Sequence, residues 1–275
     1  MFRLLSLLRT IVFFSFCALL CTVALFLFAP SANAHFGVII PSEEIVTPDS
    51  PKTIELSIKF LHPMECQYLE MGKPKRFGVA QRGKIEDLLP TLSPAKGNCP
   101  GREGSFQYWT AKFPIKRPGD HVFFIEPTPY WEPSEDKFIV HYTKTCVNAL
   151  GLEQGWEKPI GLETEIVPLT RPYGLWTGNI FTGRVLLKGK PVPNAVIEVE
   201  YMNDAPEARI IPPADPFVTQ TLHSDANGVF SYAMPKAGWW GFAALHDASW
   251  TLKKDGKPKK VEIGAVYWVK TRDMK

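Results

Sequence analysis

Prolines and glycines interrupt this chain at short intervals and restrict the folds that it can adopt. The 275 residues include 25 prolines and 20 glycines, scattered between short apolar runs. Proline lacks a backbone donor and glycine favours turns, so neither supports long helices. No amphipathic helical pattern extends beyond about three turns. The sequence therefore predicts an all-β fold of short strands joined by tight turns.

The best-defined strand covers residues 52–60, where apolar and polar side chains alternate. The side chains that share one face are Ile54, Leu56, Ile58 and Phe60. Because successive side chains of a strand point to opposite faces, this row is expected to face the core, and His62 extends it if the strand continues. Further strands are predicted at residues 76–80, 106–113, 121–126 and 137–144.

The C-terminal part has the same character, with short strands at regular intervals. They are predicted at residues 179–187, 195–202, 218–223, 229–234, 241–245 and 261–270. About seven short strands with regular turns are typical of an immunoglobulin-like sandwich. We therefore predict two antiparallel β-sandwich domains in tandem, residues 35–150 and 176–275. An irregular, proline-containing segment, residues 151–175, connects them.

The first 34 residues have the form of a secretory signal peptide. Arg3 and Arg9 precede an uncharged stretch, residues 11–29, and Ala32-Asn33-Ala34 fits the pattern after which signal peptidase cuts. Cleavage there would release a periplasmic protein that begins at His35. Nineteen residues could also span a membrane, so a retained signal anchor is the alternative.

The chain without this leader is close to electrical neutrality. Of 31 lysines and arginines, Arg3 and Arg9 belong to the leader, which leaves 29 against 28 aspartates and glutamates. There is no basic block, so neither nucleic-acid binding nor strong electrostatic binding to membranes is expected.

Three cysteines follow the leader, and their number predicts how they are used. They are Cys66, Cys99 and Cys146. An odd number in an oxidising compartment indicates one disulfide and one buried thiol. Cys66 with Cys99 is the first choice among the pairings, and the spacings resemble no zinc knuckle.

Three histidines make up the core of a candidate metal site. At the start of a mature chain, the amine and one ring nitrogen of His35 could together chelate a borderline ion such as Cu, Ni or Zn. His62 ends the inward-facing row, and Pro63 stops the strand and places the imidazole at the sheet rim. His141 lies on the predicted strand 137–144. The structural alternatives are a solvent-exposed residue at position 35 and hydrogen-bonded core histidines at the other two.

Other donors follow His62 within ten residues. Glu65 and Met71 add a hard and a soft donor to the candidate site, although each could equally belong to the surface or the core. The acidic residues Glu126, Glu132, Glu135 and Asp136 are interpreted as a solvated loop edge. The chain has no nucleophile elbow, zinc-protease helix, phosphate loop or dinucleotide fingerprint, so no enzymatic activity is predicted.

Several longer motifs resemble those of the DUF4198 family, and within it the NikK-type periplasmic component of bacterial nickel/cobalt uptake systems. The motifs are residues 35–37, 60–63, 73–79, 126–133, 138–144, 165–175 and 238–245. The resemblance spans nearly the whole chain after the leader. The predicted C-terminal domain also resembles transthyretin-like or carboxypeptidase-regulatory-like sandwiches.

The resemblance implies a periplasmic protein that binds Ni(II) or Co(II) as cargo and presents it to an energy-coupling-factor-type membrane transporter. The family's N-terminal histidine falls on His35, its histidine-proline motif on His62 and its later strand histidine on His141. Relatives often have a methionine-glutamate-methionine run where this chain has Leu69-Glu70-Met71, so only the thioether of Met71 is retained.

Two other functions fit parts of the pattern. Histidine braces also bind Cu(II) in copper chaperones and in polysaccharide mono-oxygenases built on β-sandwiches. With the leader retained, the protein would instead be a membrane-anchored interaction protein of the envelope, and His35 would have no free amine. The N-terminus of the native protein separates these alternatives.

Overall fold

The structure is a computed structural model that describes residues 35–274, and it confirms the predicted all-β fold with several antiparallel sheets. Besides strands, these residues form three single-turn 3-10 segments, which are Leu89–Thr91, Pro206–Ala208 and Asp215–Phe217. The signal peptide predicted for residues 1–34 lies outside the described residues. Within residues 35–274, no helix has the length and apolar character needed to cross a membrane.

The strands follow one another through the whole described chain. The first eleven are β1 (Phe36–Pro41), β2 (Ile45–Val46), β3 (Thr53–His62), β4 (Gln67–Leu69), β5 (Arg76–Gln81), β6 (Lys84–Asp87), β7 (Ser93–Gly97), β8 (Phe106–Pro114), β9 (Gly119–Glu126), β10 (Tyr130–Glu132) and β11 (Lys137–Ala149). The next ten are β12 (Thr164–Pro168), β13 (Leu175–Trp176), β14 (Ile180–Leu187), β15 (Lys190–Pro191), β16 (Val196–Tyr201), β17 (Gln220–His223), β18 (Val229–Ala233), β19 (Gly238–Asp247), β20 (Leu252–Lys254) and β21 (Lys257–Arg272).

These strands form three sheets in residues 35–274. The first sheet has the order β1-β3-β8-β7, with β4 also paired to β3. The large sheet has the order β17-β16-β19-β21-β11-β9-β5-β6, and β2, β10, β13 and β20 pair with its central strands. The third sheet has the order β12-β14-β15, with β18 paired to β14.

The large sheet is the middle of three layers, and the side chains of β11 show this. Ile139 belongs to the core shared with the first sheet, together with residues such as Ile54 and Leu56 of β3. Val140, one position later, belongs to the opposite core. Because side chains alternate along a strand, His141 has the parity of Ile139 and faces the first sheet.

β11 and β21 run parallel at the centre of the large sheet. Lys137 lies opposite Lys260, and Thr145 lies opposite Trp268. The large sheet is therefore continuous across the two segments that the sequence assigns to separate domains. The division into domains 35–150 and 176–275 stays a prediction.

The segment predicted to connect the domains is less irregular than expected. β12 lies inside this segment and pairs with β14, which follows it. All five residues of β12 are buried. β12 is an edge strand of the third sheet, where Pro168 costs no ladder hydrogen bond. The proline therefore did not indicate a loop here.

The alternation predicted for residues 52–60 is confirmed. Ile54, Leu56 and Ile58 are completely buried, and β3 continues to His62, which is 6% exposed. The cysteine prediction is confirmed as well. Cys66 and Cys99 form a disulfide, and Cys146 is a buried free thiol.

Candidate metal centre

His35 and His62 lie side by side at one end of the first sheet. β1 and β3 are antiparallel with Phe36 opposite Leu61, so the residue before β1 comes next to the last residue of β3. The two imidazole centroids are 4.6 Å apart, and both residues are buried. Strand pairing therefore brings together two histidines that are 27 positions apart in the sequence, His35 and His62.

His141 approaches this pair from the large sheet. Its ring makes an edge contact with Phe60, at a centroid distance of 5.9 Å, and Phe60 also stacks on His35. Two glycines make room for it. A Cβ atom on Gly264 would lie 2.6 Å from Cδ2 of His141, and one on Gly37 would lie 3.2 Å from Cβ of His141. Among the described residues, neither ring nitrogen of His141 has a hydrogen-bond partner.

Glu132 completes the surroundings of His35. Its Oε2 atom lies 2.9 Å from Nε2 of His35, and its Oε1 atom accepts hydrogen bonds from the amide and hydroxyl of Ser134. Glu132 is only 8% exposed, so its interpretation as part of a solvated loop edge was wrong. The prolines around it obscured the short strand β10, which pairs with β11 and turns Glu132 inward.

The electrostatics of this pair determine which nitrogen carries the proton. Burial, followed by the charges of His62 and His141, lowers the pKa of His35 to about 4. Burial acts to raise the pKa of Glu132, but the hydrogen bonds from Ser134 and the neighbouring His35 lower it overall. His35 is therefore neutral near pH 7 and donates its single proton from Nε2 to a carboxylate. Its Nδ1 atom keeps a lone pair that can bind a metal ion.

Glu262 lies beside His141, and no local sequence pattern indicates this position. Its Oε1 atom lies 3.7 Å from Nε2 of His141, and its Oε2 atom accepts a hydrogen bond of 2.7 Å from Lys137. Burial acts to raise the pKa of Glu262, but His141 and Lys137 lower it to about 2. The residue lies in a long predicted strand without a motif, so only the pairing of β21 with β11 reveals its position.

The other two predicted donors lie outside this contact network. Met71 is buried in the core under the first sheet and, with His141, lines a cavity of about 320 Å³. Glu65 is half-buried beyond the end of β3, and its backbone oxygen accepts a hydrogen bond from Arg102. The structure thus brings His35, His62 and His141 together, puts Met71 near His141, and leaves Glu65 at the edge of the region.

The cluster is not a finished metal-binding arrangement. Within the described part of the chain, no set of three or more His, Cys, Asp or Glu side chains is arranged so as to hold a metal ion. Binding through the histidines would therefore require side-chain adjustment, together with the amine that His35 has only after cleavage.

Comparisons with known proteins place the chain in a family but give little more. The family model described as "Domain of unknown function (DUF4198)" matches residues 32–248. No curated protein compared with the chain matches it. Among solved structures, the chain is similar to the D0-D1 domain of intimin, with 11% identity, a TM-score of 0.21, and coverage of 84% of this chain and 99% of that one.

Two further structures show the same level of likeness. A putative carbohydrate-binding protein from Bacteroides uniformis has 8% identity and a TM-score of 0.25, with 86% of this chain and 99% of that chain covered. The α-2-macroglobulin of E. coli has 10% identity and a TM-score of 0.21, with 87% of this chain but 14% of that chain covered. Scores this low carry no argument about function.

Proposed function

The chain belongs to the DUF4198 family, and from this premise we propose that it binds Ni(II) or Co(II) as cargo in the periplasm and supplies it to an energy-coupling-factor-type membrane transporter. The observation that carries the proposal is the convergence of His35, His62 and His141 from three separate parts of the sequence. The choice of cargo and of transporter follows from the resemblance to the NikK-type component.

The environment of His35 suits a metal ligand. Histidines that bind metals usually donate the other ring N–H to a carboxylate or carbonyl, which fixes the ring and its tautomer. Glu132 has this relationship to Nε2 of His35. Nδ1 of His35 and the amine created by cleavage after Ala34 are then available as a chelating pair. His62, whose ring lies 4.6 Å away, is the next nitrogen donor.

Ligand chemistry alone does not select nickel. Nitrogen sites bind Cu(II) more tightly than Ni(II) or Co(II), so selectivity depends on geometry and metal supply. A copper-binding histidine-brace protein is therefore the second candidate, and the same neutral, oriented His35 favours it.

The proposal is tested by calorimetric titration of the protein purified from the periplasm with Ni(II), Co(II) and Cu(II). We expect about one Ni(II) per chain and loss of this binding in His62→Ala. His223→Ala, at an exposed histidine of β17, is the matched control and should bind as the wild type does. Undiminished binding in His62→Ala contradicts the site. A wild-type protein that takes up Cu(II) but neither Ni(II) nor Co(II) favours the second candidate.

A further inference from the structure

We propose that Glu262 supplies a carboxylate oxygen to the metal site beside His141, so that the bound ion has nitrogen and oxygen ligands. The inference rests on the proposed function and deepens it, because it assigns a donor that is far in the sequence from the three histidine motifs. Four observations support it: the ring nitrogens of His141 that are unpaired among the described residues, the distance from this ring to Glu262, the glycine that β21 places against the ring, and the hydrogen bond from Lys137 to Glu262.

His141 is buried without a hydrogen-bond partner. It is 1% exposed, and both of its ring nitrogens lack a partner among the described residues. Buried polar atoms are nearly always paired, since they have given up their hydrogen bonds to water. An imidazole in this condition has a lone pair ready for a ligand that the polypeptide does not provide.

The distance between His141 and Glu262 fits a shared ion better than it fits a direct contact. At 3.7 Å, Nε2 and Oε1 are too far apart for a hydrogen bond, which requires about 2.7–3.2 Å. A bridging water would separate them by about 4.5 Å. Metal bonds of about 2.0–2.2 Å at a tetrahedral angle separate two ligand atoms by about 3.4 Å. The observed gap therefore closes around an ion with a movement of a few tenths of an ångström.

The sequence of β21 lets His141 and Glu262 lie close together. Glu262 and Gly264 are two positions apart on β21 and so share a face. A side chain on Gly264 would collide with the imidazole, since a Cβ atom there would lie 2.8 Å from Nε2 of His141. The absence of a side chain at Gly264 lets the ring lie against β21, where Nε2 is 3.7 Å from Oε1 of Glu262.

Lys137 orients the carboxylate. Its ammonium group donates to Oε2 of Glu262 at 2.7 Å and also contacts Glu135 at 2.5 Å. Oε2 is thereby occupied, and Oε1 is the oxygen directed towards His141. An oxygen donor of this kind suits divalent Co, Ni and Zn and is unsuited to soft Cu(I).

The test is a titration of the periplasmic protein with Co(II), followed both by calorimetry and by the visible absorption of the ion. Glu262→Gln keeps the shape of the side chain and removes its charge. We expect it to bind Co(II) at least about tenfold more weakly than wild type, with shifted absorption bands. Asp136→Asn removes an exposed charge that pairs with Lys259, on the same turn but outside the site, and should leave affinity and bands unchanged.

The outcomes separate the two proposals. Wild-type affinity and bands in Glu262→Gln overturn the role of Glu262 and leave the proposed function standing. A wild-type protein that binds neither Co(II) nor Ni(II) overturns the proposed function and this inference with it. If thermal unfolding shows that Glu262→Gln does not fold, Glu262→Asp replaces it. The shorter acid should shift the Co(II) bands, and unshifted bands overturn the inference.

Discussion

Nε2 of His35 lies 2.9 Å from Oε2 of Glu132, although the two residues are 97 positions apart. This contact joins the start of β1 to β10, a strand of three residues between prolines. A neutral imidazole against a carboxylate has only one stable tautomer, with the proton on Nε2. The contact therefore leaves Nδ1 as the ring nitrogen of His35 with a lone pair for a ligand.

The first prediction concerns this contact. In Glu132→Gln the acceptor becomes a neutral amide, which holds the Nε2 proton less strongly and orients the ring less well. We expect the affinity for Ni(II) to fall by about 10–100-fold while one ion still binds per chain, as measured by calorimetry. Glu126→Gln, which alters a surface pair with Arg76, serves as the control and should not change the affinity. Equal Ni(II) affinities in Glu132→Gln and Glu126→Gln would contradict the orienting role of Glu132.

The second prediction concerns the amine of His35. A protein prepared with Ala34 retained has a peptide nitrogen at His35, where a chain that begins at His35 has an amine. Because an amide nitrogen is a poor ligand near pH 7, we expect Ni(II) affinity to drop sharply relative to protein that begins at His35. Mass spectrometry of the protein as the cell produces it establishes its N-terminus, and titration of both forms compares their affinities. Identical affinities would show that the amine is not a ligand.

The third prediction concerns stability against pH. Glu200 is 1% exposed in β16 and accepts hydrogen bonds from the amide of Met64 and the hydroxyl of Thr219. Burial raises its pKa to about 8. Above its usual pKa, the unfolded chain releases this proton while the folded protein keeps it. The free energy of unfolding therefore falls as pH rises towards 8, and it falls no further from this cause above pH 8.

The window from pH 7 to 8 is the best one in which to measure this effect. His35, whose folded pKa is about 4, is mostly neutral in both states there, whereas below pH 6.5 it makes stability rise with pH. Burial also raises the pKa of the neighbouring Glu198, to about 7, so its own loss of stability falls mainly below this window. We expect urea denaturation to show a loss of about 1–2 kcal/mol across the window in the wild type. The loss should be smaller in Glu200→Gln and unchanged in Glu207→Gln, an exposed control. Parallel pH profiles for Glu200→Gln and the wild type would contradict the assignment.

The fourth prediction concerns the buried ion pair between Lys144 and Glu165. Nζ of Lys144 lies 2.7 Å from Oε2 of Glu165, and both side chains are almost fully buried. Glu165 also accepts hydrogen bonds from the amides of Ile160 and Gly161. Glu165→Ala leaves a buried ammonium unpaired, and we expect it to cost about 3–5 kcal/mol of unfolding free energy.

The matched variant is Lys144→Met, which keeps the aliphatic part of the side chain. It should cost less than Glu165→Ala because the carboxylate retains its two backbone donors. Denaturant unfolding of the two variants measures the difference. A larger loss in Lys144→Met would reverse this account of the pair.

Local pattern predicted the parts of the site that depend on single strands. The alternation ending at His62 gave both the strand and the inward direction of that imidazole, and the segment around His141 gave a strand that extends to Ala149. The position of Glu132 could not be predicted in this way. Prolines in its neighbourhood indicate a loop, and β10 exists because β11 offers it an edge.

Glu262 illustrates a different difficulty. Its strand was predicted, but nothing local indicates that β21 pairs in parallel with β11 and brings Glu262 to His141. Such a pairing depends on the whole topology. The same holds for β12, which lies inside the predicted connecting segment but pairs with β14 and packs Ile166 into the core.

The parallel pairing of β11 with β21 also has a consequence for the folding of the protein. The hydroxyl of Thr145 donates to the backbone oxygen of Trp268, 123 positions later in the chain. Contacts of such long range form late and slow folding, because a long loop must be closed first. Until they form, the edge of β11 that β21 covers is open to other chains. His141 also lacks its neighbour Glu262 until then, so under the proposed function we expect metal loading to follow the final closure of the sheet.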